Sequence, residues 1–201
     1  MLNVTFDHNC IIALEKNNTV AGDLRKLIEL HNRRRIVLRV PAISASERKP
    51  DQKYVSHFDE FKRRLSAIGL GDVEILPTIC CEGLGFEGYT LECGGRVDEL
   101  EEKIQHIMFP ATELEYSDFC KNQGYELNDK RAWHTWTNKK CDVLGLWSHI
   151  WHHGDIFVTS DKKDFLRQTK RAKLESLGAG KILSPSEALD HIEEVQKQCA
   201  L

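Results

Sequence analysis

The stretch His153-Gly154-Asp155-Ile156-Phe157-Val158-Thr159-Ser160-Asp161-Lys162-Lys163-Asp164-Phe165 contains the most readable strand of the chain. Ile156 to Thr159 is a run of β-branched and aromatic residues closed in by Gly154 on one side and Ser160-Asp161 on the other, the pattern of a short strand buried on both faces. Strands of that kind belong to parallel sheets, whose crossovers are helices. The flanking segments agree. Residues 162 to 177 read as a helix stopped by Gly178, and Ile182-Leu183 as a last short strand. Ser184-Pro185-Ser186-Glu187 places a Ser N-cap, Pro at the first helical position and Glu at the third, which starts a final helix from Pro185 to about Gln198. Upstream, Asp142 to His153 reads as a helix opened by Asp142, with Val143, Leu146, Trp147 and Ile150 as its apolar stripe.

The first third of the chain alternates in the same way. Leu2 to Phe6 is a strand with Asp7 at its edge, and Cys10, Ile11, Ile12 and Leu14 suit a buried helix. Asn18 or Thr19 caps a second helix carrying Val20, Leu24, Leu27, Ile28 and His31, which closes at Arg33-Arg34-Arg35. Ile36 to Val40 is a second strand, and Ala42 to Arg48 a short helix stopped by Pro50. Tyr54, Phe58, Phe61, Leu65 and Ile68 form an amphipathic helix ended by Gly69, and Val73 to Leu76 a third strand. Residues 79 to 127 break the alternation with glycines at 83, 85, 88, 94 and 95, strong acidity and a single helical stretch from Val97 to Met108. The expectation is one α/β domain over 1–201: a three-layer α/β/α fold with a mainly parallel central sheet and an acidic insertion at 79–127.

Composition narrows the partners. The 201 residues are 41% hydrophobic and 29% charged, enough to fill one core and too apolar for a disordered chain. A net charge of -3 excludes a uniformly basic coat for nucleic acid. The distribution is uneven: residues 23–64 carry 12 basic and 6 acidic side chains, 161–181 carry 7 and 3, and 72–118 carry 2 and 12. No apolar run reaches the roughly 18 to 20 residues that cross a bilayer, and the N-terminus lacks a leader pattern, so a cytoplasmic protein without a membrane partner is expected. Seven cysteines without regular spacing suggest thiols rather than a disulfide framework.

In open parallel sheets ligands bind beyond the carboxyl ends of the strands. Asp7, Glu47, Asp142 and Asp161 all fall at that edge, with Asp164 one turn behind Asp161. Any one of them alone is most simply an N-cap or a surface charge. Four together repel one another and raise one another's pKa unless a divalent cation screens them, and hard carboxylate oxygens suit Mg²⁺ or Mn²⁺. Weaker signals are set aside. His149, His152 and His153 with Asp155 do not make a four-ligand zinc site, and Cys80, Cys81, Cys93 and Cys120 with His106 contain no C-x-x-C pair. Cys10 and Cys141 read as small buried hydrophobes, and Trp133, Trp136, Trp147 and Trp151 as core at helical spacing.

Four segments together resemble the PIN-domain nucleases, the family that includes VapC-type toxins. Val4-Thr5-Phe6-Asp7-His8-Asn9-Cys10-Ile11-Ile12 is similar to the opening strand, Asp and apolar helix, and Val40-Pro41-Ala42-Ile43-Ser44-Ala45-Ser46-Glu47 to the strand-to-Glu segment. Asp142 resembles the third acid, and Thr159-Ser160-Asp161 with Asp164-Phe165 the closing signature, here with one extra Lys before Asp164. The resemblance covers about 1–76 and 130–196. It implies a PIN-like fold and a metal-dependent endoribonuclease that hydrolyses RNA phosphodiester bonds as the toxin of a toxin-antitoxin pair. Asp7, Glu47, Asp142 and Asp161 would be catalytic ligands of Mg²⁺ or Mn²⁺, with Asp164 supporting them and Asn9 and Thr159 orienting carboxylates from behind. Arg48, Lys49, Lys162 and Lys163 would contact the RNA. An antitoxin protein and a homodimer would be its partners. The main rival is a catalytically silent PIN-like interaction module; an acidic 72–118 segment hanging over the active edge would repel RNA and favour it. A phosphatase using Asp7 as nucleophile calls for a second Asp where the chain has Asn9.

Overall fold

The computed structural model describes residues 1–49, 51, 53–81, 83–91 and 96–198. Pro50, Cys93, Gly94 and Gly95, which figured in the readings above, lie outside the described residues. In chain order the elements are β1 (Leu2–Phe6), α1 (His8–Lys16), α2 (Ala21–Asn32), β2 (Ile36–Pro41), a 3-10 turn (Ala42–Ser46), α3 (Phe58–Ala67), β3 (Glu74–Leu76), β4 (Thr78–Ile79), β5 (Thr90–Leu91), α4 (Arg96–Met108), α5 (Tyr116–Gln123), α6 (Lys130–Trp151), β6 (Ile156–Val158), α7 (Gln168–Glu175), β7 (Lys181–Leu183) and α8 (Pro185–Gln198). Five strands form one parallel sheet in the order β3-β2-β1-β6-β7, and β4 pairs with β5 separately.

The period of two along each strand creates two cores, one on each face of the sheet. Val4, Phe6, Leu38, Val40, Ile156 and Val158 pack under α1, α2, α3 and α8, against Ile11, Leu24, Leu27, Phe61 and Ile192. Phe157 and Ile182 face the other way, onto Ile104, Trp136, Leu144, Trp147, Phe165 and Leu174 of α4, α6, α7 and the loop before α7. The result is the expected three-layer α/β/α arrangement. Each fully buried Phe or Leu contributes roughly 1.5–3 kcal/mol, which is how strands of three residues are held in place by their helices. Thr5, buried on the second face, donates to His149 Nδ1 at 2.8 Å, and His149 Nε2 lies 2.9 Å from the carbonyl oxygen of Ala179. Burial lowers the pKa of His149 to about 4, so its imidazole is a neutral core group rather than a wall of the acidic site. A Cβ at Gly154 would fall on that ring, so only glycine lets the chain turn there from α6 into β6.

Several boundaries depart from the sequence reading. Asp142 does not open a helix: α6 begins twelve residues earlier, capped by Asp129, whose Oδ1 accepts from the backbone N–H of Arg131 at 2.7 Å and of Ala132 at 3.1 Å. The helix expected over 162–177 is confined to Gln168–Glu175, because Asp161 Oδ1 holds the N–H groups of Lys163 at 2.8 Å and Asp164 at 3.0 Å in a turn. Residue Val20, not Asn18 or Thr19, occupies the N-cap of α2, with Asn18 Oδ1 accepting from its N–H at 3.1 Å. Helix α3 starts at Phe58 rather than Tyr54. The 79–127 segment holds a strand pair and two helices, and its Ile104, Met108, Phe119 and Cys120 belong to the second core. The final helix matches its signature in full: Glu187 Oε2 accepts from Ser184 N–H at 2.8 Å while Ser184 Oγ accepts from Glu187 N–H at 3.4 Å.

Candidate active site

The carboxyl ends of β1, β2 and β6 lie side by side, and each delivers one polar group to the same place. Asp7 follows β1 directly and N-caps α1, so Oδ1 accepts from His8 N–H at 2.7 Å. Its backbone N–H donates to the Val158 carbonyl at 3.0 Å, which ties the end of β1 to that of β6. The second oxygen, Oδ2, accepts from Thr159 Oγ1 at 2.7 Å and from the Asn9 amide. Asn9 Nδ2 also donates to Thr159 Oγ1 at 3.0 Å, and Asn9 Oδ1 takes both the N–H and the hydroxyl of Ser160 at 3.0 Å. Thr159 Oγ1 in turn accepts from the backbone N–H of Asp161 at 3.1 Å. Asn9 and Thr159 therefore hold the Asp7 carboxylate in one orientation.

Glu47 leaves the 3-10 turn after β2, and Asp142 reaches in from the middle of α6. The electrostatics show that these acids feel one another. Burial raises the Asp7 carboxyl from 3.8 to about 6, with the charge of Asp161 adding to the effect. Burial likewise pushes Glu47 well above the ordinary range, and Asp142 and Asp7 push it further. Asp142 is raised foremost by burial, then by Asp7, Asp161 and Asp164, with the charge of Lys170 opposing the shift. Among the described residues no Lys or Arg nitrogen comes within 4 Å of Asp7, Glu47, Asp142 or Asp161. Arg64, whose charge opposes the shift at Glu47, is committed to Glu15 through contacts of 2.9 and 3.0 Å.

Asp164 differs from the other four. Its Oδ1 pairs with Lys170 Nζ at 2.7 Å, and Lys170 also donates to the Met108 carbonyl at 2.8 Å. Asp164 thus anchors a lysine beside Asp142. Of the five acids, Asp142 and Asp164 line a cleft of about 530 Å³, whose other walls include Phe109, Thr112, Asn138, Lys139, Lys163 and Lys170. Lys139 and Lys170 sit 5.8 and 5.5 Å from the Phe109 ring centroid, and Lys139 donates to Thr112 Oγ1 at 2.8 Å. Of the basic residues expected to touch substrate, Lys163 lines the cleft and Lys162 is exposed next to it. Lys49 is occupied by Glu60 at 2.8 Å, and the backbone carbonyl of Arg48 lies 3.3 Å from His8 Nε2. Lys139 was not singled out in the sequence, since it has no local signature and only the packing of α6 against the end of α4 turns it to the cleft.

The donor set fits a hard divalent cation. Carboxylates gathered at one edge, with Asp7, Glu47 and Asp142 raised by burial and by neighbouring acids, are the electrostatic complement of one. Among the described residues no three His, Cys, Asp or Glu side chains are grouped so that they could hold an ion as they stand, so the fit rests on donor chemistry. Burial drives the Cys10 and Cys141 thiols well above their usual range, which removes them as nucleophiles. Among the described residues no helix is long and apolar enough to cross a membrane. Comparison with known proteins found no family model, no curated protein and no solved structure that matches the chain.

Proposed function

We propose that the chain is a divalent-metal-dependent endoribonuclease of the PIN kind, with Asp7, Glu47, Asp142 and Asp161 as the groups that would hold Mg²⁺ or Mn²⁺. The observation that carries this reading is the meeting of Asp7, Glu47 and Asp142, from three separate elements, at the carboxyl edge of the sheet, where burial and neighbouring acids raise all three. When bound, the cation would supply positive charge to make water a stronger nucleophile and to offset charge on the scissile phosphate. The chain's own residues do the rest. Asn9 and Thr159 hold Asp7 in one orientation, Asp161 is held by the turn it caps, and Lys139 and Lys163 offer ammonium groups to phosphates next to the acids.

Cleavage is favoured over the silent interaction module by the described part of the 72–118 segment that lines the cleft. The part of it that reaches the site, Phe109 to Thr112, is uncharged, while Glu99 and Glu102 are exposed further back on α4 and Glu101 is paired with Lys140. The charged side chains that line the cleft beside Asp142 and Asp164 are Lys139, Lys163 and Lys170. Incubating a mixed labelled RNA pool with the pure chain in Mg²⁺, in Mn²⁺ and in EDTA tests the proposal: cutting is expected in one or both metals and not in EDTA, and metal-independent cutting would contradict it.

The lysines of the cleft give a separate expectation. Lys139→Ala should weaken single-stranded RNA binding by about fivefold at moderate salt and reduce the slope of log affinity against log salt by about one, since one phosphate contact is lost. Fluorescence anisotropy in EDTA at several salt concentrations reads both quantities. An unchanged slope would place Lys139 outside the RNA path.

A further inference from the structure

Among the described residues, His8 is a buried polar group beside the acids that has no task in the reading above. Its side chain is 7% exposed, and its place directly after Asp7, in the first turn of α1, brings the ring beside the turn that carries Glu47. Nε2 lies 3.3 Å from the Arg48 carbonyl oxygen. A carbonyl only accepts, so the ring hydrogen sits on Nε2, and Nδ1 presents a lone pair. Nδ1 is buried, makes no hydrogen bond and faces Glu47 Oε1 at 3.9 Å. That distance is too long for a hydrogen bond. A buried acceptor without a donor costs about 1–3 kcal/mol, so its orientation calls for a reason.

Two lone pairs facing each other across this gap can share one cation. Metal bonds of about 2.0–2.2 Å from each side span separations up to about 4.3 Å. A metal-ligating imidazole commonly donates its other ring N–H to a backbone carbonyl, which fixes the tautomer, and Arg48 provides that carbonyl here. We infer that His8 Nδ1 is a nitrogen ligand of the cation held by Glu47, so that the site selects Mn²⁺ over Mg²⁺. The inference rests on the metal-site reading proposed above and adds the choice of metal to it. Mg²⁺ takes oxygen ligands and keeps its waters, whereas imidazole suits transition ions, so one neutral nitrogen among carboxylates shifts the preference without changing the net charge of the site.

The test is electron spin echo spectroscopy of Mn²⁺ bound to the full chain, with isothermal titration of Mn²⁺ and Mg²⁺ beside it. The wild type should show ¹⁴N modulation from a coordinated imidazole. In His8→Gln, whose amide can still donate to the Arg48 carbonyl, the modulation should vanish and the Mn²⁺-over-Mg²⁺ affinity ratio should fall by about tenfold. If the variant does not fold, wild type labelled with [¹⁵N]histidine decides the matter, because among the described residues His8 is the histidine whose ring nitrogen lies within 4 Å of a carboxylate. Replacement of ¹⁴N by ¹⁵N modulation supports the assignment. Mn²⁺ that binds without nitrogen modulation, or modulation that survives in a folded His8→Gln, overturns it while leaving the acidic site intact. Failure of the wild type to bind Mn²⁺ at all overturns both.

Discussion

Asp142→Asn is expected to lower metal-dependent RNA cleavage by at least about a hundredfold and, in EDTA at pH 7, to give a chain more stable than wild type. The two effects share one cause. Asp142 sits mid-helix in α6, where Asp and Asn have similar propensity, so the exchange does little to the backbone. Its carboxylate is raised by burial and by Asp7, Asp161 and Asp164, which means that its charged form destabilises the folded chain at neutral pH. Removing the charge relieves that repulsion and also removes a group the cation would need. Single-turnover cleavage and a urea midpoint in EDTA read the two effects. Wild-type activity in the variant would take Asp142 out of the site, and a loss of stability would show that its charge has a structural partner.

The second large effect is the pH dependence that Asp7 imposes on the metal-free chain. Its carboxyl titrates at about 6 in the folded state and near 3.8 in the unfolded one, so between those values the folded chain holds a proton that the unfolded chain has released. Stability from this group is therefore complete below about pH 4 and is lost as pH rises to 6. About two pH units correspond to roughly 3 kcal/mol, with little solvent screening because Asp7 is 6% exposed. His8 and His149, both lowered to about 4 by burial, act in the opposite sense over the same window, since the unfolded chain binds their protons first as pH falls. The difference between wild type and Asp7→Asn isolates the acid. Relative to wild type, Asp7→Asn should gain about 2 kcal/mol between pH 4 and pH 6 in EDTA, out of about 3 kcal/mol over the whole titration. A pH-independent difference between the two unfolding curves would contradict the raised carboxyl.

Much of the sheet was readable because its strands are short, apolar and punctuated. Leu2–Phe6, Ile36–Pro41 and Ile156–Val158 lie where the runs of β-branched residues place them, and with them Asp7, Glu47 and Asp161 come to one edge. Asp142 also joins that edge, though not as a helix start. Lys140, two residues before Asp142, is buried, pairing with Glu101 and lying 5.5 Å from the Trp136 ring, so the inward stripe of α6 runs unbroken through it. The overlong helix after β6 has the opposite origin. Lys162 to Arg167 have helical propensity, but Asp161 captures two of their N–H groups and Phe165 is drawn into the second core. His8 and Lys139 carry no spacing signature; a ring tautomer and a helix-to-helix contact bring them into the account, and neither is written in local sequence.

The central claim is that the converging acids make a water-dependent phosphodiesterase when a divalent cation is present, and the ends of the RNA products test it most directly. A 5′-labelled single-stranded RNA cut by the pure chain in Mn²⁺ should yield 3′-hydroxyl and 5′-phosphate ends and should remain whole in EDTA. Cyclic 2′,3′-phosphate ends, cutting that persists in EDTA, or intact RNA in the presence of bound Mn²⁺ would contradict the account.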